Sequence, residues 1–121
     1  MAMESILNST KKLSGLMEEY EHFDADIIMF INSVFFDLNQ LGIGPSEGFT
    51  IEDDSSIWED FLPDDKPLRE AVKSYMGMKV RLKFDPPTVS SLLEALQRSI
   101  NECEWRFSVH ASNRSNQEEG E

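Results

Sequence analysis

The Asp85-Pro86-Pro87 corner restricts this chain more than any other feature. Proline has no amide donor and clashes with the preceding turn, and the residue before each proline is pushed toward extended geometry. A helix arriving from the N-terminal side must stop near Phe84, and the chain must turn there. The stretch from Lys79 to Trp105 therefore reads as two helices meeting at that corner, with the rest of the chain packed against them.

Beyond the corner, Thr88 is a fair N-cap, and Ser91 with Glu94 offers a capping box if the helix begins later. Val89, Leu92, Leu93, Leu96, Ile100, Cys103 and Phe107 share one face, opposite Glu94, Arg98 and Glu102 at ion-pair spacing. Trp105 lies off that stripe. It reads either as an interface anchor or as a cover for its own helix end. Residues 1–109 form the expected helical domain, and the polar, aperiodic residues 110–121 the expected C-terminal tail, disordered until bound.

Before the corner, Asp65 can cap a helix with Pro67 in its first turn. Leu68, Ala71, Tyr75, Met78 and Leu82 then make a heptad-like stripe. Residues 78–84 also alternate apolar and polar as a half-buried strand does, and Gly77 weakens a helix by about 1 kcal/mol relative to alanine. The stripe is unbroken from Leu68, so helix is the expectation.

The N-terminal half begins with a short helix over residues 4–14, with Ile6, Leu7 and Leu13 on one side and Gly15 as its stop. Asp24 is the expected N-cap of a long helix over 25–41, with Phe23 stapled onto its first turn. Ile27, Ile28, Phe30, Ile31, Val34, Phe35, Leu38 and Leu41 recur at three and four, which makes this the core helix. Met29 and Phe36 widen the apolar arc beyond what one neighbour covers, so that flank meets either further helices of its own domain or another subunit. Leu41-Gly42-Ile43-Gly44-Pro45 ends the helix. Phe49–Ile51 reads as a short extended piece, and Ile57, Trp58, Phe61 and Leu62 as an amphipathic turn that lids the core. The expected fold is an all-α bundle of about four helices, with an extended or hairpin segment between the second and third.

Composition narrows the function. The net charge of −12 is uneven: residues 1–65 carry fifteen acidic against two basic side chains, whereas residues 66–106 carry eight basic against five acidic. Such a chain will not coat DNA, which needs a basic surface. The acids form either a solvated face or one half of a subunit contact, with Asp53, Asp54, Glu59 and Asp60 facing Lys73, Lys79, Arg81 and Lys83 of the next copy. The longest apolar run, 27–31, is far below the ~20 residues that cross a bilayer, and the N-terminus has no signal region, so neither secretion nor a membrane span is expected. Cys103 is the single cysteine and sits on an apolar stripe, where it reads as a small core residue. His22 and His110 lie in polar segments. No nucleophile motif, phosphate loop or metal-ligand spacing occurs, and the acidic run lacks the pattern of a calcium loop, so no cofactor and no enzymatic activity are expected.

Phe23-Asp24-Ala25-Asp26-Ile27, Ile31-Asn32, Leu41-Gly42-Ile43-Gly44-Pro45, Trp58, Lys79-Val80-Arg81, Phe84-Asp85-Pro86-Pro87 and Glu104-Trp105-Arg106 together resemble the head-tail connector (adaptor) proteins of long-tailed bacteriophages, from about Ile6 to Val109. Gly77 and Lys83 are less apolar than that family leads one to expect. The resemblance implies a homo-oligomeric ring, usually twelvefold, that assembles in the host cytoplasm beneath the portal protein and stays in the virion neck. Such a ring extends the DNA channel without sequence-specific binding and docks a stopper or tail-completion protein. It also implies a C-terminal segment that grips the portal, which here corresponds to Trp105, Arg106, Phe107, Val109 and His110. Two alternatives stay open from the sequence: another neck component, of the stopper or tail-completion kind, and a small acidic DNA mimic that regulates a host protein.

Overall fold

The computed structural model describes residues 4–16 and 21–119, and among these it forms five helices: α1 (Ile6–Leu13), α2 (Asp24–Gln40), α3 (Trp58–Phe61), α4 (Lys66–Phe84) and α5 (Ser90–Glu119). The fold is all-α. Helix α4 is the hub, packing against each of the other four, while α1 and α2 also pack on each other. Its Asp65 cap accepts a hydrogen bond from Leu68 N at 3.0 Å, with Pro67 in the first turn, where a missing amide costs nothing. The helix runs to Phe84, so the alternation over 78–84 belongs to helix.

The face that α4 buries is rotated from the heptad-like stripe. Val72, Met76 and Val80 are fully buried beside Tyr75, whereas Leu68, Met78 and Leu82 are half-buried and Ala71 is exposed. A helix surrounded by four others buries a wide arc, and a single stripe marks only part of it. Gly77 is explained by α1, which crosses there: a Cβ at Gly77 would lie 2.8 Å from the Cβ of Leu13. Leu13 itself is exposed, unlike Ile6 and Leu7, because α1 ends there and Gly15 turns the chain away with φ +89°.

Helix α2 begins one residue earlier than expected. Asp24 is its first residue rather than its cap, and its carboxylate lies 2.7 Å from the buried Lys11 ammonium of α1. Phe23 packs edge-on against Phe84 at 5.0 Å, which ties the start of α2 to the end of α4. At the other end Gly42, at φ +84°, lets Ile43 N reach back to Leu38 O at 2.9 Å, and Ile43 is buried. The expected extended or hairpin segment is neither strand nor hairpin. The Asn32 amide pairs with both Ile51 N (2.8 Å) and Ile51 O (3.0 Å), so one side chain takes the place of a neighbouring strand.

The lid over the core is α3. Trp58 and Phe61 are buried, the Trp58 indole donates to Ser9 Oγ at 2.8 Å, and Phe61 stacks at a tilt on Phe35 at 4.7 Å. Asp60 accepts from Ile57 N at 3.0 Å, and Arg69 donates to Leu62 O at 2.7 Å, so both ends of this single turn are held.

After the prolines, Val89 O accepts the first helical bonds of α5, from Leu92 N and Leu93 N. Residues 110–119, expected as a disordered tail, continue α5 as helix through Glu119. No proline or glycine interrupts them, and adding a turn to an existing helix avoids the cost of a new nucleus.

Candidate functional site

The candidate residues lie on α2, α4 and α5 and in the acidic segment before α4. Met29 and Phe36 share one outward line of α2 and are 60% and 64% exposed. They stay uncovered because α1 and α4 occupy the opposite side, where Ile27, Ile31, Val34 and Leu38 are buried. Phe36 also forms one edge of a cleft of about 370 Å³ between α2 and the loop over 47–50, lined by Phe35, Asn39, Glu47, Phe49 and Thr50 among others. The sequence pattern gave no sign of this cleft, since it depends on the Asn32–Ile51 pairing that draws the loop alongside α2.

Helix α5 has two uncovered regions. Val89 and Leu92, expected on a buried stripe, are exposed, and Ile100 is the first fully buried residue of the helix. The first turns of α5 lie just after the proline corner where α4 ends. Trp105 is 67% exposed, so it is not a cover for its own helix end. Of the other C-terminal candidates, Phe107 belongs to the protomer's core, with its ring edge-on to Tyr75 at 5.2 Å, and Arg106 pairs with Glu102 along the helix. Val109 and His110 are exposed. Among the described residues Arg98 pairs with neither Glu94 nor Glu102.

The charged candidates divide in the same way. Lys79 is largely buried between Asp37 of α2 (3.3 Å) and Glu104 of α5 (3.4 Å), and its ammonium lies 5.6 Å from the Tyr75 ring. Lys73 pairs with Glu4 and Glu70, each at 3.1 Å. Burial lowers the Lys73 pKa, but the two carboxylates outweigh it and the net shift is upward. Glu59 lies 3.8 Å from Arg69, and Asp60 caps α3. These four side chains hold the protomer together. Asp53, Asp54, Arg81 and Lys83 remain exposed, with Asp53 bonded to Ser55, whose hydroxyl and amide lower its pKa.

Glu104, which sequence reasoning noted only as a neighbour of Trp105, is the centre of the polar node that fastens α5 to α4. It accepts from Tyr75 OH at 2.7 Å as well as pairing with Lys79. Burial, and then the Glu104 carboxylate, push the Tyr75 hydroxyl well above its ordinary value of 10.0. The folded state thus keeps a proton that the unfolded chain releases, and stability falls as pH rises above about 10. Urea midpoints measured from pH 8 to 11 are expected to fall more steeply for the wild type than for Tyr75→Phe, and equal slopes would contradict the node. The Cys103 thiol is half-buried, and burial raises its pKa, which makes it a poor nucleophile. Among the described residues no group of His, Cys, Asp and Glu side chains has the arrangement of a metal site, and no helix is long and apolar enough to cross a membrane.

What the molecule offers is a helical body with both apolar and charged side chains exposed on its surface. No curated protein and no solved structure matches the chain. The family model described as phage connector protein matches residues 6–114, nearly the whole chain, and the protein belongs to that family.

Proposed function

We propose that this connector is the adaptor of the head-tail junction: a homo-oligomeric ring, twelvefold in the virion, that binds beneath the portal, prolongs the DNA channel and docks the next neck protein. The observation that carries the reading is the surplus of uncovered apolar surface. Met29, Phe36, Val89, Leu92 and Trp105 are each more than half exposed, as is Leu13 at the end of α1. Met29 and Phe36 lie on α2, Leu92 and Trp105 on α5 with Val89 just before it, and both helices pack on α4, so one copy presents two different faces, which is what head-to-tail contacts around a closed circle require.

The charge layout supports the same reading. Exposed Asp53 and Asp54 lie in the acidic half, and exposed Arg81 and Lys83 near the proline corner. An acidic channel wall offers DNA few cations to replace its counterions, so DNA slides past it. Portal contact falls to the exposed part of the C-terminal helix, from Val109 and His110 onward, since Phe107 is committed to the core. The all-helical body disfavours the stopper and tail-completion alternatives, which are richer in strands. A connector acts by occupying its place, which requires no catalytic group. Assembly in the host cytoplasm and residence in the virion neck follow from this role.

Purified protein incubated with the portal of the same virion is expected to give rings on the portal by electron microscopy. The Arg81→Glu/Lys83→Glu variant is expected to fold normally and form few of them. A wild-type chain that stays monomeric with the portal and does not bind it would overturn the proposal.

A further inference from the structure

Two uncovered features of the chain complement each other. The first is the cleft beside Phe36, apolar at its floor through Phe35 and Phe49, with Asn39, Thr50 and Glu47 at its rim. Among the described residues exposed Glu47 bonds only to the neighbouring Ser46 hydroxyl, and exposed Asp26, one turn before Met29 on the same outward line of α2, has no cationic partner. The second is the outward line of α5. Trp105 lies two turns from Arg98 and one turn from Val109, and among the described residues neither the indole N–H nor the Arg98 guanidinium has a partner. A partly aromatic cleft with Glu47 at its rim, and an exposed indole two turns from an unpaired cation, are complementary in polarity and charge.

We infer that Trp105 of one copy seats in the α2 cleft of a second copy, against Phe36 and Phe49, with its N–H directed to Glu47 and Arg98 facing the acidic rim. The inference rests on the ring reading and assigns its principal contact. It is heterologous, because the seat and the anchor are different surfaces of one chain, so it can extend from copy to copy. One indole buries only about 150–250 Å², well below the area of a stable pairwise interface, so closure of the ring supplies the rest. The portal-facing part of α5 then begins after Trp105.

Disulfide trapping tests this contact while leaving the tryptophan in place. In a Cys103→Ala background, Thr50→Cys on the cleft wall is combined with Ser108→Cys, one turn from Trp105, and the full chain is oxidised alone and with purified portal protein. The expected result is a ladder of covalent dimers, trimers and higher species on a non-reducing gel. Adding Trp105→Ala should slow its formation about thirtyfold, the loss typical of a central aromatic anchor. Rings seen by microscopy without a ladder would overturn this contact and leave the ring reading intact. A ladder that survives Trp105→Ala unchanged would also overturn it. Absence of both rings and ladder, alone and with portal, would remove the ring reading and this contact together.

Discussion

A Trp58→Ala variant is expected to lose about 3–5 kcal/mol of stability, the range for deleting a large buried aromatic side chain. Trp58 is the largest fully buried side chain in the protein, and it joins three parts of the fold. Its indole N–H donates to Ser9 on α1, its ring lies 6.3 Å from that of Phe35 on α2, and its backbone begins α3. Removing it leaves a cavity and loosens the turn that holds Phe61 over Phe35 and Phe49. Trp58→Phe keeps most of the apolar area and loses the hydrogen bond to Ser9, so its cost should be nearer 1–2 kcal/mol by order of magnitude. Urea unfolding followed by circular dichroism measures both. If the alanine variant lay within about 1 kcal/mol of wild type, α3 would be an ornament on the core instead of its lid.

Gly44→Ala is the second large effect. Gly44 has φ +91°, a conformation costing an L-residue about 1–3 kcal/mol, and a Cβ there would run into the Phe61 ring. Phe61 is itself packed against Phe35 and Phe49, so it has little room to yield. Overpacking adds about 1–3 kcal/mol to the strain, for an expected loss of about 3 kcal/mol or more. Gly48 provides the control: it also has φ +91°, yet nothing lies within 4 Å of a Cβ built on it. Gly48→Ala should therefore show the backbone strain alone, about 1 kcal/mol. Equal melting temperatures for the two variants would show that the Phe61 contact does not matter.

Both predictions concern the chain between α2 and α4, where sequence reasoning was least complete. The turn signals of Leu41-Gly42-Ile43-Gly44-Pro45 were legible, because positive φ favours glycine whatever the surroundings. That Gly44 faces an aromatic ring was not, since Phe61 reaches it only through the lid. A non-helical segment around Phe49–Ile51 was expected as well. Its partner was not, because nothing local distinguishes an asparagine side chain that pairs with a distant backbone from one that faces water.

Charge was the least legible layer. Spacing along the chain could say that residues 52–65 are acidic and residues 73–83 basic, which suggested a contact between copies. The structure uses Lys73, Lys79, Glu59 and Asp60 within one protomer and leaves Asp53, Asp54, Arg81 and Lys83 outside it. Which cation finds which acid depends on how α2, α4 and α5 cross, and that is set by packing, over distances no periodicity encodes. The family, by contrast, is carried by motifs spread along most of the chain.

The sequence by itself determined the all-α class, the stops at Gly15, Gly42 and Pro86, the cap at Asp65 and the buried positions Ile27, Ile31, Val34, Phe35 and Leu38 of α2, because each follows from backbone geometry or from the period of apolar residues. Only the tertiary structure decided which apolar side chains stay outside. Leu92 and Phe107 lie on one stripe of α5, yet the first faces solvent and the second is in the core, because burial along that stripe depends on what packs beside each turn. Exposure depends on which neighbour covers a face, and the neighbours of a helix are chosen by the packing of the whole chain.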